Sequence, residues 1–399
     1  SLEPGNNTAQ AIRWNFTRWD HFFNARQLYS LSLLATAIRD LEGASAEREA
    51  LCALFSGTLE FNNMFTSFKG EGTGAVRHMF SHHILKPERT PLEAHPWGTP
   101  QSSGSFSTLL NSRLGRAHQY KQEPVDLVVR TARVERVLGV AQSCEAQVAT
   151  SWADLEAGKR AYVATCNSAK TDLPDDSVDL VVTDPPYMDN VHYAELADFF
   201  HSWLKEMRPY SDYPMKESTR ESGEVQDADP AAFGRAIGAV WSECARVLKP
   251  EGLLAFTFHQ ARITGWVELI QALRNAGLTI TSIQPVTGEM ATSVVKAGAR
   301  EPSNLDSIVV CRKAAFVGSA VHSTVEDAYN AALARLENLI DAQVAVGPGD
   351  VRSVMRGTLL AHLGATGDSL FDQLDVVDEL ADQAIETLST GVVGLRVTG

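Results

Sequence analysis

A chain of 399 residues, 44% hydrophobic and 21% charged, has enough apolar side chains to bury one large core or two. Its formal charge of −14 excludes a protein that grips nucleic acid over its whole surface. No apolar run is long enough to span a bilayer and no signal-peptide pattern opens the chain, so the expectation is a cytoplasmic protein with no membrane partner.

The first residue is Ser1 instead of Met, which reads as a processing, tag or fragment boundary. Asn24-Ala-Arg-Gln27 can open a helix, with Asn24 as cap and Gln27 at the capping-box position. Leu28, Leu31, Leu34, Ile38 and Leu41 follow at helical spacing until Gly43, and a second helix is expected over 46–55. Both read as core-packing helices, with Arg26 and Gln27 as a weaker phosphate-contact alternative. Phe68-Lys-Gly-Glu-Gly-Thr-Gly74 resembles a glycine loop that lets backbone approach a cofactor, but no buried strand precedes it, so a surface loop is expected. Residues 78–106, with His82, His83, Pro87, Pro91 and Pro96, read as extended and irregular. Adjacent histidines cannot share a helix face and no third ligand is spaced for zinc, so no metal site is expected. Lys86, Arg89 and Trp97 make this stretch a candidate nucleic-acid arm. Residues 60–125 as a whole carry seven Lys/Arg against five Asp/Glu, and five of the histidines.

Residues 109–120 read as a helix and 125–140 as β-rich. From Lys159 onward strands and helices alternate. Ala161-Tyr-Val-Ala164 is a short strand, followed by Cys166, Asn167 and Ser168; residues 177–183 form a central strand; Tyr193, Leu196, Phe199, Phe200, Trp203 and Leu204 recur at helical spacing. Residues 207–230 are polar and long enough for a mobile functional loop. A helix over 233–248 is expected to stop at Pro250 and Gly252, before strands at 253–258, 279–286 and 306–311 and a helix at 265–275. This alternation predicts an α/β fold with a mainly parallel sheet, covered by helices on both faces. Beyond Lys313, Ser323-Thr-Val-Glu326 reads as a capping box, and helices follow over 351–363 and 370–388. With four Arg against twelve Asp/Glu, residues 314–399 are expected to form an acidic helical tail that repels phosphate. The five cysteines (52, 144, 166, 244 and 311) form no C-x-x-C pair, which fits reduced thiols better than a zinc site or disulfides.

The chemistry concentrates at Ser177-Val-Asp-Leu-Val-Val-Thr-Asp-Pro-Pro-Tyr187. The apolar run at 180–182 reads as a buried mid-sheet strand, and two prolines, which cannot donate ladder hydrogen bonds, must end it. The turn then lies at the carboxyl end of a strand, where open α/β sheets bind ligands. It offers the Asp184 carboxylate, the Pro185 carbonyl fixed in direction by Pro186, and the Tyr187 ring. Two acceptors suit the two hydrogens of an exocyclic amine, drawing its lone pair out of ring conjugation toward an electrophilic methyl group. The aromatic face suits stacking on the heterocycle.

Asp184-Pro185-Pro186-Tyr187 resembles motif IV of the amino-methyltransferases that modify DNA bases. The run continuing through His192-Tyr-Ala-Glu-Leu-Ala-Asp-Phe-Phe-His-Ser-Trp-Leu-Lys205 looks more narrowly like the large adenine-specific DNA methylases, some of which carry a zinc ribbon. Arg246-Val-Leu-Lys-Pro-Glu-Gly-Leu-Leu-Ala-Phe-Thr-Phe-His259 and Asp306-Ser-Ile-Val-Val-Cys-Arg-Lys313 are similar to their following strands. The resemblance covers 162–313 well and 23–120 more weakly. It implies a class I methyltransferase (Rossmann-like) fold, S-adenosylmethionine as methyl donor, and a base swung out of the duplex. It also implies cofactor contacts at Asn167, Ser168 and Asp184. The family's glycine-rich cofactor segment is not recognisable, nor is the zinc ribbon. This chain is therefore expected to be the carboxyl portion of a split or truncated enzyme, or residues 68–74 take the missing role.

The resulting expectation is a DNA methyltransferase acting on the 6-amino group of adenine, in a modification or phage-defence setting. Domains are expected at 1–125 (helical and irregular), 126–313 (methyltransferase-like) and 314–399 (tail). The same turn serves RNA guanine methylases, and a related Asn-Pro-Pro-Tyr turn serves protein glutamine methylases. A different class is a non-catalytic partner subunit that binds nucleic acid or another methylase chain.

Overall fold

In the computed structural model the described residues are 1–42, 45–68, 76–81, 85, 87, 92–98, 102–130, 133–138, 147–156, 160–186, 192–227, 229–258, 263–288, 305–317, 324–366 and 371–390. They divide between two compact units, one drawn from 1–149, 157–161 and 191–222, the other from 150–156, 162–190 and 223–399. Among them no helix is long and apolar enough to cross a membrane. No group of three or more His, Cys, Asp or Glu among them could hold a metal ion.

The first unit is helical around an aromatic core. Helices α1 (Thr8–Arg13), α2 (Ala25–Arg39) and α3 (Ser45–Leu59) are joined by α4 (Tyr193–Met207), which arrives from far along the chain. The expected capping box forms: Asn24 Oδ1 accepts from the Gln27 N–H at 2.9 Å, and Gln27 Oε1 from the Asn24 N–H at 2.9 Å. Phe22 stacks on Phe65 at 4.1 Å, and Phe199 of α4 stacks on Phe23 at 5.7 Å and meets Trp19 edge-on at 6.1 Å. Arg26 is committed to Glu93 at 2.6 Å, and Trp97 stacks on Phe106 at 5.7 Å. His82, His83, Lys86 and Arg89 of the expected nucleic-acid arm lie outside the described residues. A helical stretch over 106–122 contains a π-helical turn at Leu110–Gly115, and an antiparallel ribbon pairs β1 (Val125–Arg130) with β2 (Arg133–Leu138).

Helix α4 carries three buried polar side chains, and each has a structural task. Glu195 accepts backbone N–H groups of Asn6, Asn7 and Thr8 at 3.0, 2.7 and 3.3 Å, satisfying donors at the start of α1 that no helical carbonyl can reach. His201 stacks on Tyr213 and bonds its hydroxyl at 3.1 Å and the Lys216 carbonyl at 2.7 Å. Asp198 accepts from the Thr219 N–H at 2.6 Å, the Thr219 hydroxyl at 2.8 Å and the Ser218 hydroxyl at 2.7 Å. The expected mobile loop is thus tied along 213–220 to the helix before it. Arg220 then reaches the carbonyls of Glu3 and Pro4, both at 2.9 Å. Asp198→Ala leaves these buried donors unpaired. It should cost about 2–4 kcal/mol in denaturant unfolding and speed hydrogen exchange across 213–220, with Asp198→Asn in between.

The second unit is built on a four-stranded sheet of β3 (Val178–Thr183), β4 (Leu248–Phe258), β5 (Leu278–Thr287) and β6 (Leu305–Lys313), in the order β3-β4-β6-β5. Only β3 and β4 run parallel; β6 pairs antiparallel with both β4 and β5. The expectation of a mainly parallel sheet is corrected here. Strand β6 returns and inserts between β4 and β5, so two of the three pairings are antiparallel. The fold is α/β with a mixed sheet.

The mid-sheet expectation for residues 178–183 also fails. Strand β3 is an edge strand among the described residues, and Leu180 and Val182 are 52% and 73% exposed. Nor are both faces covered alike. The fully buried sheet residues Leu254, Phe256, Phe258, Val309, Cys311 and Ile283 share one face. They belong to a single core with α5 (Pro230–Val247), α6 (Ile263–Asn275), α7 (Val325–Asp341), α8 (Pro348–Thr366) and α9 (Leu374–Thr390). Trp241 meets Phe256 at 4.7 Å and Trp266 meets Phe258 edge-on at 4.8 Å. The helices beyond residue 324 therefore pack into the sheet's own core. Two local expectations move. Pro250 and Gly252 lie within β4, beside the register shift between Val178 and Leu180, and the cap of α7 is Thr324, boxed with Asp327.

Candidate functional site

Strand β3 ends where its sequence stops supplying ladder donors. Thr183 is its last residue, opposite Phe256, and Asp184, Pro185 and Pro186 follow without regular structure. Strand β4 continues two residues further, to Phe258. The first residue past the end of β3 therefore lies beside Thr257, whose hydroxyl donates a hydrogen bond to Asp184 Oδ1. Asp184 is exposed, Pro185 buried and Pro186 half-buried, so the turn is anchored by its proline and shows its carboxylate to solvent. Tyr187 lies outside the described residues.

Asn167 and Ser168 sit on an exposed turn after the short strand Arg160–Tyr162. The Asn167 side chain accepts from the Ala169 N–H at 2.9 Å and its carbonyl from the Lys170 N–H at 2.8 Å. Their polar groups are thus presented on an open surface and not from the wall of an enclosed pocket. The glycine stretch 69–75 lies outside the described residues.

What carries the chain from this turn to β3 is a set of ion pairs absent from the sequence reading. Buried Glu243 of α5 accepts from the Thr171 N–H at 2.7 Å and the Thr171 hydroxyl at 2.6 Å. Arg246, one turn on, bonds Glu243 at 2.7 and 2.9 Å, the Leu173 carbonyl at 2.7 Å, and Asp175. Lys313 holds Asp176 at 2.6 Å and Lys249 holds Asp179 at 2.7 Å. One helix and two neighbouring strand ends thereby fix residues 171–179, the lead-in to the candidate carboxylate. Glu243 and Arg246 stand at i and i+3 on a recognisable helix, but their targets in 171–175 cannot be read without the fold. Thr257 is hidden for the same reason, since it meets Asp184 only through strand register.

No family model and no curated protein sequence matches the chain. Among solved structures, a proposed DNA modification methylase from Thermus thermophilus aligns at 19% identity with a TM-score of 0.21, covering 36% of this chain and 47% of that one. The chain thus spans less than half the length of that protein. So loose a likeness carries no functional argument, and the site must be read from its own residues.

The Glu243 carboxyl is held down to about 2, first by its hydrogen bonds with Arg246, then by those from Thr171, against the opposing effect of burial. The same partnership raises the Arg246 guanidinium. Because the folded-state value lies below the ordinary Glu value of about 4.3, the pairing stabilises the fold above that pH and loses its effect as pH falls toward about 2. Arg246 is partly open to solvent, which screens the pair and keeps its contribution small. Urea unfolding of wild type and Glu243→Gln should show a stability gap that is full near pH 6 and narrows between pH ~4.5 and ~2. A gap that did not change with pH would exclude this origin.

Proposed function

We propose that this chain supplies the amine-binding part of a site that methylates an exocyclic base amine on DNA, with the 6-amino group of adenine as first choice. The observation that carries the reading is the Asp184 carboxylate, placed at the carboxyl end of a strand, exposed, and oriented by Thr257. A carboxylate has about four acceptor positions, so the Thr257 hydroxyl does not exhaust it, and its exposure lets a further donor approach. The turn's proline-fixed carbonyl supplies a second acceptor, and Tyr187 an aromatic surface for a flipped base.

S-adenosylmethionine is the methyl donor in this proposal and supplies an electrophilic methyl group when bound. Asn167 and Ser168 offer it an amide and a hydroxyl, but on an open turn, so the described residues do not enclose it. The remaining enclosure has to come from elsewhere in the protein or from a partner chain. The role of Asp184 follows from charge alone. It accepts a hydrogen from the amine and stabilises the positive charge that develops as nitrogen attacks, and no proton need leave first. Asp184→Asn keeps the size and one acceptor oxygen but loses the charge. Methyl transfer from labelled cofactor to duplex DNA should fall about a hundred-fold or more. Tyr187→Ala should weaken base capture by about 1–3 kcal/mol. Unchanged transfer in Asp184→Asn would leave the turn a structural element only.

A second reading, a partner subunit without activity of its own, is favoured by the open edge of β3. A parallel strand with one neighbour among the described residues and exposed Leu180 and Val182 is a surface onto which another chain's strand can add. Calorimetry separates the two readings. A catalytic chain should bind the cofactor alone, whereas a partner subunit should show cofactor binding only after a second chain is added. In the latter case Val182→Arg should prevent the assembly while leaving this chain folded.

A further inference from the structure

Far from the Asp-Pro-Pro turn, a cleft of about 20 Å³ opens where α7 and α8 meet β5. It is lined by Arg335 of α7, by Thr358 and His362 of α8, and by residues 280–283 of β5, the outer strand of the sheet at its other edge. We propose that this cleft binds one small oxyanion group, a carboxylate or a phosphate, through the Arg335 guanidinium and the Thr358 hydroxyl. The proposal is independent of the methyl-transfer reading.

The charge pattern of the surrounding helices singles out Arg335. Residues 314–399 hold four Arg against twelve Asp/Glu, so partners are plentiful. Arg352 takes Asp382 at 2.8 Å and Arg356 takes Asp378 at 2.7 Å. Arg335 is half-buried, yet among the described residues it has no carboxylate partner. Burial pushes its pKa down, and no neighbouring negative charge offsets the shift. A guanidinium taken partly out of water without a counter-charge is costly, and an anion in the cleft would relieve that cost.

Thr358 adds an independent observation. The residue is 3% exposed and its hydroxyl has no hydrogen-bond partner. Mid-helix threonines commonly donate to the carbonyl one turn back, so an idle buried hydroxyl in a residue lining the cleft marks a donor without its acceptor. His362 follows four residues later on the same face of α8 and is 5% exposed, which brings an imidazole to the same opening. The cleft itself takes about one or two oxygen atoms, because a single water needs about 10–15 Å³, and the rest of a bound oxyanion would face its opening. That size selects the head of a carboxylate or one phosphate group and rejects a nucleotide. The acidic helices around it repel loosely held anions, so any occupant must be held by these groups.

The test is scanning calorimetry of the full chain in sodium acetate and, separately, sodium phosphate, each against sodium chloride at equal ionic strength and pH. At least one oxyanion should raise Tm in a saturable way, as expected for a ligand bound by the folded state alone, and the responding arm identifies the group. Arg335→Gln should abolish the rise. Thr358→Val, nearly isosteric and one hydroxyl poorer, should reduce it at least several-fold, and it keeps the test decisive if Arg335→Gln does not fold. No oxyanion-specific rise in the wild type would overturn the proposal. A rise of unchanged size in Thr358→Val would overturn the assigned site.

Discussion

A strand can be ended by denying it donors, and the candidate site depends on that event happening on one side of a ladder and not on the other. Pro185 and Pro186 stop β3 after Thr183, while β4, paired in parallel, runs on to Phe258. The overhang puts a Thr257 hydroxyl beside the first residue beyond the strand, and that residue is Asp184. Had both strands ended together, the Thr257 hydroxyl would not stand beside the carboxylate. Parallel pairing also requires a long return path, since two parallel neighbours cannot be joined by a tight turn. That path spans residues 184–247, contains α4 and α5, and delivers Glu243 and Arg246 to the lead-in of β3. The crossover demanded by the pairing thus also supplies the groups that hold β3 in place.

The polar groups buried in the first unit follow a related logic. An acid, an acid and a histidine on α4 would be poor choices for a helix that merely packs. Each instead satisfies polar groups that packing alone would leave unmet: Glu195 accepts from N–H groups at the start of α1, Asp198 accepts from Ser218 and Thr219, and His201 bonds the Tyr213 hydroxyl and donates to the Lys216 carbonyl. A polar segment as long as 207–230 looks mobile when read only by composition. Its order comes from partners on the preceding helix, whose apolar spacing conceals them among Leu196, Phe199 and Trp203.

Local signals in this chain are legible, and signals that depend on register are not. The capping box at Asn24 and Gln27, the helix through Phe199 and the strands around 253–258, 279–286 and 306–311 all follow from spacing within a few residues. Strand direction does not. Alternating strands and helices favour parallel pairing, yet β5 and β6 are joined with no helix among the described residues and pair antiparallel, so β6 enters between β4 and β5. Pro250 and Gly252 read as a helix stop because breakers look alike in sequence, while in the structure β4 passes through them near its irregular rung with β3. The Asp-Pro-Pro turn is visible because the prolines act on their own chain. Thr257 and Thr171 are invisible because their partners lie 73 and 72 residues away.

Burial finally explains why β3 can pass for a central strand. Central parallel strands are apolar on both faces, and Leu180, Val181 and Val182 have that composition. In the sheet only Val181 packs against the helix-covered core, while Leu180 and Val182 point with Leu253, Ala255, Ile308 and Val310 to the face holding no fully buried strand residue. An edge strand that must stay single usually carries a charge, a bulge or a proline along its length to discourage pairing. Beyond its register shift, β3 offers Leu-Val-Val-Thr and defers its prolines to the end. The composition of the strand is that of a paired one, and the mismatch between composition and position is a property of the sheet itself. Among the described residues it places the unpaired edge directly beside the turn that carries Asp184.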